Sequence, residues 1–247
     1  MTSRSQSFGA IAEQYNSYRP GPPAEVADWI TPRLCHVAVD IGAGTGALTK
    51  HLVTRAQEVY AVEPDERMAS VLIRLGGNVQ HLHSTAEKIS LANSSVDLVA
   101  GSSMWHWVDP QVAGAEIARI LRPGGTFALV GNGADRSIPW VAEILGRHQN
   151  EMSANSIRDR WQSRFSLPET LPFAGMEANV INWTLPVTPE FILNMACTYS
   201  AVIAMDEADR QKFRGEIAAS LATLEETRGK ELIDLPMRCY CMRTTRL

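Results

Sequence analysis

Val37 to Leu52 reads VAVDIGAGTGALTKHL, an apolar strand that runs into an acidic residue and then into three glycines at alternate positions. Val37, Val39 and Ile41 carry a buried strand, and Asp40 stands near its carboxyl end. Gly42, Gly44 and Gly46 let the backbone turn tightly and come close to a ligand before a helix begins. The pattern predicts a nucleoside-cofactor pocket. A dinucleotide loop also sets glycines between strand and helix, but with the spacing G-x-G-x-x-G, and its helix amino end receives a pyrophosphate. Here the spacing is G-x-G-x-G. Asp40 also opposes a phosphate, because a carboxylate beside an oxyanion is a like-charge contact where water is scarce. No G-x-x-x-x-G-K-[ST] stretch occurs, so a cationic ligand suits the turn best.

The 247 residues suit one domain, or one domain with a small cap. An apolar fraction of 45% and a charged fraction of 20% are those of an ordinary globular protein, and no apolar run reaches the length of a membrane span. The amino-terminal stretch MTSRSQSFGAIAEQY lacks a continuous hydrophobic core, so a cytoplasmic protein without a secretory signal is expected. A net charge of −4 with scattered basic residues gives no general attraction to nucleic acid. Cys35, Cys197, Cys239 and Cys241 lack paired C-x-x-C spacing, so no metal site is expected; Cys239 and Cys241 share one face of a strand, and all are expected as buried free thiols.

Downstream, QEVYAVEPDERM reads as a second strand ending at Glu63, the distance at which an open α/β sheet places its ribose-binding acid. Pro64 ends that strand, and Met68, Val71, Leu72 and Leu75 follow at helical spacing. A third strand ends near His83 and delivers Ser84, Thr85, Ala86 and Glu87 to the same edge. Strand four spans Val96 to Ala100 and leads through Ser102 into the aromatic loop SSMWHWVDP; IARILRPGGTFALVGN then gives a helix end, a turn and strand five. Strands that alternate with helices predict a parallel sheet covered on both faces, with ligands at the strands' carboxyl ends. Asp40, Glu63, Thr85 and Ser102 all fall at such ends.

The pattern D-x-G-x-G-x-G resembles motif I of the class I S-adenosylmethionine-dependent methyltransferases. The resemblance extends from Phe8 to about Asn132 through Glu63, the Ala86-Glu87 turn, the H-W-x-D loop and L-R-P-G-G, and it is to the small-molecule type, similar to the quinone-biosynthesis and trans-aconitate methyltransferase groups. It implies a Rossmann-like, seven-stranded, mainly parallel sheet with helices on both faces and a helical substrate cap. The expected divisions are amino-terminal cap helices at 1–35, a cofactor-binding core at 36–134, and substrate-cover helices with the last strands at 135–247. A sixth strand is expected around Met176 to Leu185, helices through Thr198 to Ser200 and from Glu207 to about Thr227, and a final strand near Pro236 to Thr244.

The resemblance also implies the cofactor, S-adenosylmethionine, and its contacts: Asp40, Gly42, Ala43, Gly44, Glu63, Pro64, Met68 over the adenine, Thr85, Ala86, Glu87 and Ser102. Thr85 stands where the family often has the aspartate that meets the adenine amino group. Tyr15, Tyr18 and Arg19 resemble residues that close over the methionine end, where Arg19 can pair with the carboxylate. The acceptor is expected among Tyr18, Met104, Trp105, His106 and Tyr199, with Trp105 as an aromatic wall and His106 as the candidate base. Chemistry that is mostly positioning explains why no catalytic dyad stands out.

Missing motifs narrow the acceptor. SSMW occupies the place where amino-methylating adenine enzymes carry [DNS]-P-P-[YFW], no Pro-Cys nucleophile follows strand four, and the two-glutamate loop of arginine methyltransferases is absent. A small organic acceptor remains, with an oxygen preferred, on a monomer or homodimer that uses neither nucleic acid nor a membrane. Two alternatives stay open at this point: a cofactor sensor or scaffold without transfer, and a nicotinamide oxidoreductase.

Overall fold

A computed structural model describes residues 5–146, 165 and 167–247. The remainder of the expected substrate cover, residues 147–164 and 166, lies outside the described residues. One seven-stranded sheet organises the chain in the order β3-β2-β1-β4-β5-β7-β6. Its strands are β1 (Val37–Ile41), β2 (Glu58–Val62), β3 (Val79–Leu82), β4 (Val96–Ser102), β5 (Leu121–Ala134), β6 (Glu177–Val187) and β7 (Ile233–Thr245). β1 to β5 pair in parallel, while β7 runs antiparallel to both β5 and β6. The fold expectation is met.

The helices are α1 (Ala12–Tyr18), α2 (Ala24–Ile30), α3 (Thr49–Leu52), α4 (Glu66–Leu72), α5 (Pro110–Ile120), α6 (Pro139–Leu145), α7 (Pro189–Cys197), α8 (Ser200–Ile203) and α9 (Glu207–Thr223). Local chemistry sets several of their starts. Asp109 caps α5 by accepting from the backbone N–H groups of Gln111 and Val112, with Pro110 at the first helical position. Asp65, Thr188 and Asp206 cap α4, α7 and α9 in the same way.

Three apolar clusters hold the layers together. Trp105, Phe127 and Ile117 belong to the cluster between α5 and one face of the sheet. Val26, Ile30, Leu98 and Val130 pack α2 on the other face. Val141, Ile192, Ile217 and Leu235 form a separate core under α6 to α9, which is the described part of the cap. Among the described residues no helix is long and apolar enough to cross a membrane.

Several boundaries differ from the sequence reading. β3 stops one residue before His83, β4 runs on through Ser102, and β7 begins at Ile233 instead of Pro236. The Arg122-Pro-Gly-Gly segment is a register shift inside β5 rather than a turn ahead of it, since Val96 pairs with Leu121 and Leu98 with Thr126. The helix expected through Thr198 is broken into α7 and α8, because the Thr198 hydroxyl donates to the Met195 carbonyl at 2.7 Å and competes with the ladder. α9 ends at Thr223, and the buried Thr227 hydroxyl donates to the Leu221 carbonyl at 2.8 Å beyond that end. Cys35, Cys239 and Cys241 are buried and free, with 3.8 Å between the sulfurs of the last two; Cys197 is only half-buried, a correction that follows from its place at the end of α7.

Candidate functional site

The glycine turn forms at the carboxyl end of β1, between the ends of β2 and β4. Gly42 and Gly44 adopt φ of 59° and 58°, the left-handed region that disfavours any side chain. A Cβ on Gly42 would stand 2.7 Å from the Cβ of Met104, whereas one on Gly44 would meet only the tip of Met68, at 3.5 Å. Among the described residues the space above Gly44 is therefore left open.

Asp40 is 1% exposed. Its Oδ2 accepts from the Thr49 hydroxyl at 2.6 Å, while Oδ1 is buried without a partner. Burial pushes its pKa up to about 7, opposed by the hydrogen bonds from Thr49 and assisted by the nearby Glu63 charge. Glu63, just past β2, is buried as well. Its Oε2 accepts from the Gly44 N–H and its Oε1 from the Asp65 N–H, both at 2.8 Å. Burial raises its pKa too, against the pull of those two backbone donors. Glu63 thus ties the glycine turn to β2, and the second lone pair of each oxygen is left for a ligand.

The other expected cofactor residues gather round this turn. Ala43 is buried and donates its N–H to the Val62 carbonyl at 3.1 Å, and Pro64 follows Glu63. Met68 is buried beside Gly44 and packs with Ala12, Val71, Phe8 and Tyr15. The Thr85-Ala86-Glu87 turn closes with the Lys88 N–H donating to the Thr85 carbonyl at 3.2 Å, and Glu87 Oε1 accepts from the Asp109 N–H at 3.4 Å. Ser102 ends β4, and Ser103 turns the chain back with φ 56°.

The loop after Ser103 corrects one expectation. Trp105 is 1% exposed and lies 5.3 Å from Phe127, so it fills the core beneath the loop and is no wall of a pocket. Burial is decided here by an aromatic neighbour on β5, which no local pattern announces. Met104 is buried against Gly42 and Gly101. His106 is exposed, its ring 4.4 Å from that of Trp107.

The amino-terminal arm covers this edge. Phe8 meets Tyr15 edge-on at 5.4 Å and Trp107 at 6.4 Å, which brings the arm to the loop after β4. Tyr18 packs on Phe191 of α7 at 5.5 Å. Arg19 donates from Nε to the Thr198 hydroxyl at 2.8 Å and from Nη2 to the Thr198 carbonyl at 3.0 Å, and its guanidinium lies 4.3 Å from the Tyr199 ring. One edge of the fork is occupied by Thr198, and the end that carries Nη1 is left for an anion.

Sequence reasoning missed three polar residues. Thr49 fixes Asp40 and Thr198 fixes Arg19. Asn132, near the end of β5, donates to the Pro20 and Gly21 carbonyls at 2.9 and 3.0 Å and accepts from Trp183 Nε1 at 3.1 Å. A polar side chain at the carboxyl end of a strand was the available signal for Asn132. Replacing it with alanine should cost about 1–3 kcal/mol in urea unfolding and speed proteolysis of the arm, because three partners lose their hydrogen bonds together.

Comparison with known proteins agrees with this fold. Residues 39–129 match the family described as methyltransferase domain. The chain is 36% identical over 244 residues to the Mycobacterium tuberculosis protein named uncharacterized methyltransferase Rv3342, covering 98% of this chain and 96% of that one. It is 27% identical to the uncharacterized methyltransferase-like protein C25B8.10 of Schizosaccharomyces pombe, covering 95% and 92%. A solved methyltransferase structure from Anaeromyxobacter dehalogenans superposes with a TM-score of 0.69 at 26% identity, over 93% of this chain and 98% of that chain.

Proposed function

We propose, because this chain belongs to the class I S-adenosylmethionine-dependent methyltransferases, that it methylates a small organic metabolite, at a hydroxyl or carboxylate oxygen. The observation that carries the reading is the orphaned Asp40 Oδ1 beside a glycine turn on whose open side a Cβ at Gly44 would meet, among the described residues, only the tip of Met68. A buried carboxylate oxygen without a partner is costly, and a ligand that brings positive charge and hydrogen-bond donors relieves that cost. These residues fit S-adenosylmethionine.

Bound there, S-adenosylmethionine supplies an electrophilic methyl carbon on a sulfonium. Asp40 offers the negative charge, with Gly42, Ala43 and Gly44 giving backbone approach. Glu63 accepts from the ribose hydroxyls, and Pro64 and Met68 border the base. Thr85, Ala86, Glu87 and Ser102 line the remaining strand ends, where the Thr85 hydroxyl takes the place of an acid. Arg19, steadied by Thr198, pairs its free end with the amino-acid carboxylate, and Tyr15 closes over it. Tyr18, Met104, His106 and Tyr199 border the acceptor; Trp105 braces the loop from below.

The chain's main task is then orientation, which can lower a barrier by roughly 7–11 kcal/mol. Water is kept out by the arm that Phe8, Tyr15 and Arg19 hold down. His106 accepts the proton of a hydroxyl acceptor, whereas a carboxylate acceptor needs no base.

The test is transfer of isotope-labelled methyl from the cofactor into a metabolite extract, with the product treated with alkali. Incorporation released as methanol identifies a carboxyl ester, and alkali-stable label with the carbon chemical shift of a methoxyl group identifies an ether. For an ether product, His106→Ala should lower kcat by roughly a hundredfold and leave cofactor affinity unchanged. Cofactor binding without incorporation into any fraction would overturn the proposal.

A further inference from the structure

The helix α1 has two working faces. Ala12 and Tyr15 pack with Met68 on the cofactor side, whereas Glu13, Gln14 and Ser17 line a cavity of about 350 Å³ whose other walls include Asn194 and Cys197 of α7 and Arg214 of α9. A volume of this order is enough for a small ligand. None of these six cavity residues has a part in the methyl transfer described above.

The two sides of the cavity differ in what they offer. Arg214 is half-buried, and among the described residues its hydrogen bonds are long and go to neutral groups: Nη1 lies 3.3 Å from Asn194 Oδ1 and 3.4 Å from the Cys197 sulfur. Its Nε and Nη2 donate to no described residue, and two such parallel donors match the two oxygens of a carboxylate. A guanidinium partly withdrawn from water without an anion is costly. The α1 side presents acceptors instead. Glu13 uses Oε1 for Arg74 at 2.6 Å, which leaves Oε2, and Ser17 gives its hydroxyl proton to the Glu13 carbonyl at 2.9 Å, which leaves its lone pairs. A carboxylate at one end and a donor at the other would satisfy both sides.

We propose that this cavity is a second small-molecule site, for a short carboxylate bearing a hydroxyl or ammonium at its far end, and that its ligand holds the arm closed over the cofactor. One side of the site belongs to α1, so a ligand that touches both sides binds best when α1 is docked on α7. The same docking seats Arg19. Thr198, buried at the end of α7, lines the cavity and also accepts from Arg19 Nε at 2.8 Å; Tyr18, the residue before Arg19, lines the cavity as well. Ligand and cofactor thus favour one placement of the arm, and by linkage each raises the affinity of the other by the same factor. The site stands without the methyl-transfer reading, whereas the coupling rests on Arg19 gripping the cofactor.

The full-length protein should be titrated calorimetrically with γ-hydroxybutyrate and γ-aminobutyrate, with butyrate as the acid that lacks the donor and γ-hydroxybutyramide as the uncharged counterpart. At least one of the first two is expected to bind, butyrate more weakly and the amide not at all. Arg214→Gln should weaken the acid about tenfold or more, Arg214→Lys should recover part of the loss, and both should bind S-adenosylhomocysteine as the native chain does when no acid is present. A circular dichroism melt of each variant shows that the fold is retained. With the acid saturating, the native chain should bind S-adenosylhomocysteine about fivefold tighter or more. The inference is overturned if the amide binds as well as the acid, if Arg214→Gln leaves the acid titration unchanged, if neither acid binds, or if a bound acid leaves S-adenosylhomocysteine affinity as it was. Acid binding by a chain that takes no S-adenosylhomocysteine under any condition would instead count against the cofactor reading alone.

Discussion

Asp40→Asn is expected to bind S-adenosylmethionine roughly a hundredfold more weakly than the native chain at pH 8, and to bind it almost as well as the native chain does at pH 5. The carboxyl of Asp40 is held at a pKa of about 7 by burial. Above that pH it carries the charge that a cationic ligand pairs with, and below it the native side chain is a neutral acid much like asparagine. Native affinity should therefore rise through neutrality while that of the variant stays flat, as calorimetry at several pH values would show. Stability without cofactor moves the other way. A carboxyl whose pKa is higher folded than unfolded keeps more protons in the folded state, so its contribution is present below about pH 4 and is lost as pH climbs toward 7. Thermal melts of the ligand-free proteins should accordingly show Asp40→Asn gaining on the native chain between pH 5 and pH 8. Affinity of the variant equal to native at pH 8 would remove Asp40 from the site.

What the sequence made legible is whatever depends on local pattern. The glycine spacing after Val39 and Ile41, the acid closing β2 and the alternation of strand and helix fall on elements whose period and turn chemistry are written within a few residues. They sufficed for the parallel half of the sheet. The antiparallel half was legible only as two strands: nothing near Ile233 says that β7 inserts between β5 and β6. Contacts between distant segments were equally silent. Arg19 meets Thr198 across 179 residues, and Asn132 meets Pro20 across 112. Trp105 illustrates the ambiguity of an aromatic residue in a loop, which looks the same in sequence whether it borders a ligand or stacks on Phe127.

Gly42→Ala and Gly44→Ala should separate folding from binding, although both residues have nearly the same positive φ. At either position alanine incurs the left-handed penalty of roughly 1–2 kcal/mol. On Gly42 the added methyl also stands 2.7 Å from the Met104 Cβ, part of a stem that can retreat only if the loop after β4 moves. That variant should melt well below the native chain, with an overpacking cost of about 1–3 kcal/mol added to the strain. On Gly44 the methyl meets Met68 Cε at 3.5 Å, an ordinary contact, so the loss of stability should stop at the strain. Cofactor affinity should nevertheless fall roughly a hundredfold in Gly44→Ala, because the methyl fills the space that lets a ligand lie on the backbone. The Gly44 N–H also donates to Glu63 Oε2 at 2.8 Å, so any shift of this residue moves the acid assigned to the ribose. Melting temperature and cofactor titration on the same two proteins decide the matter. If Gly44→Ala bound S-adenosylmethionine like the native chain, the open face of the turn would not be where the cofactor lies.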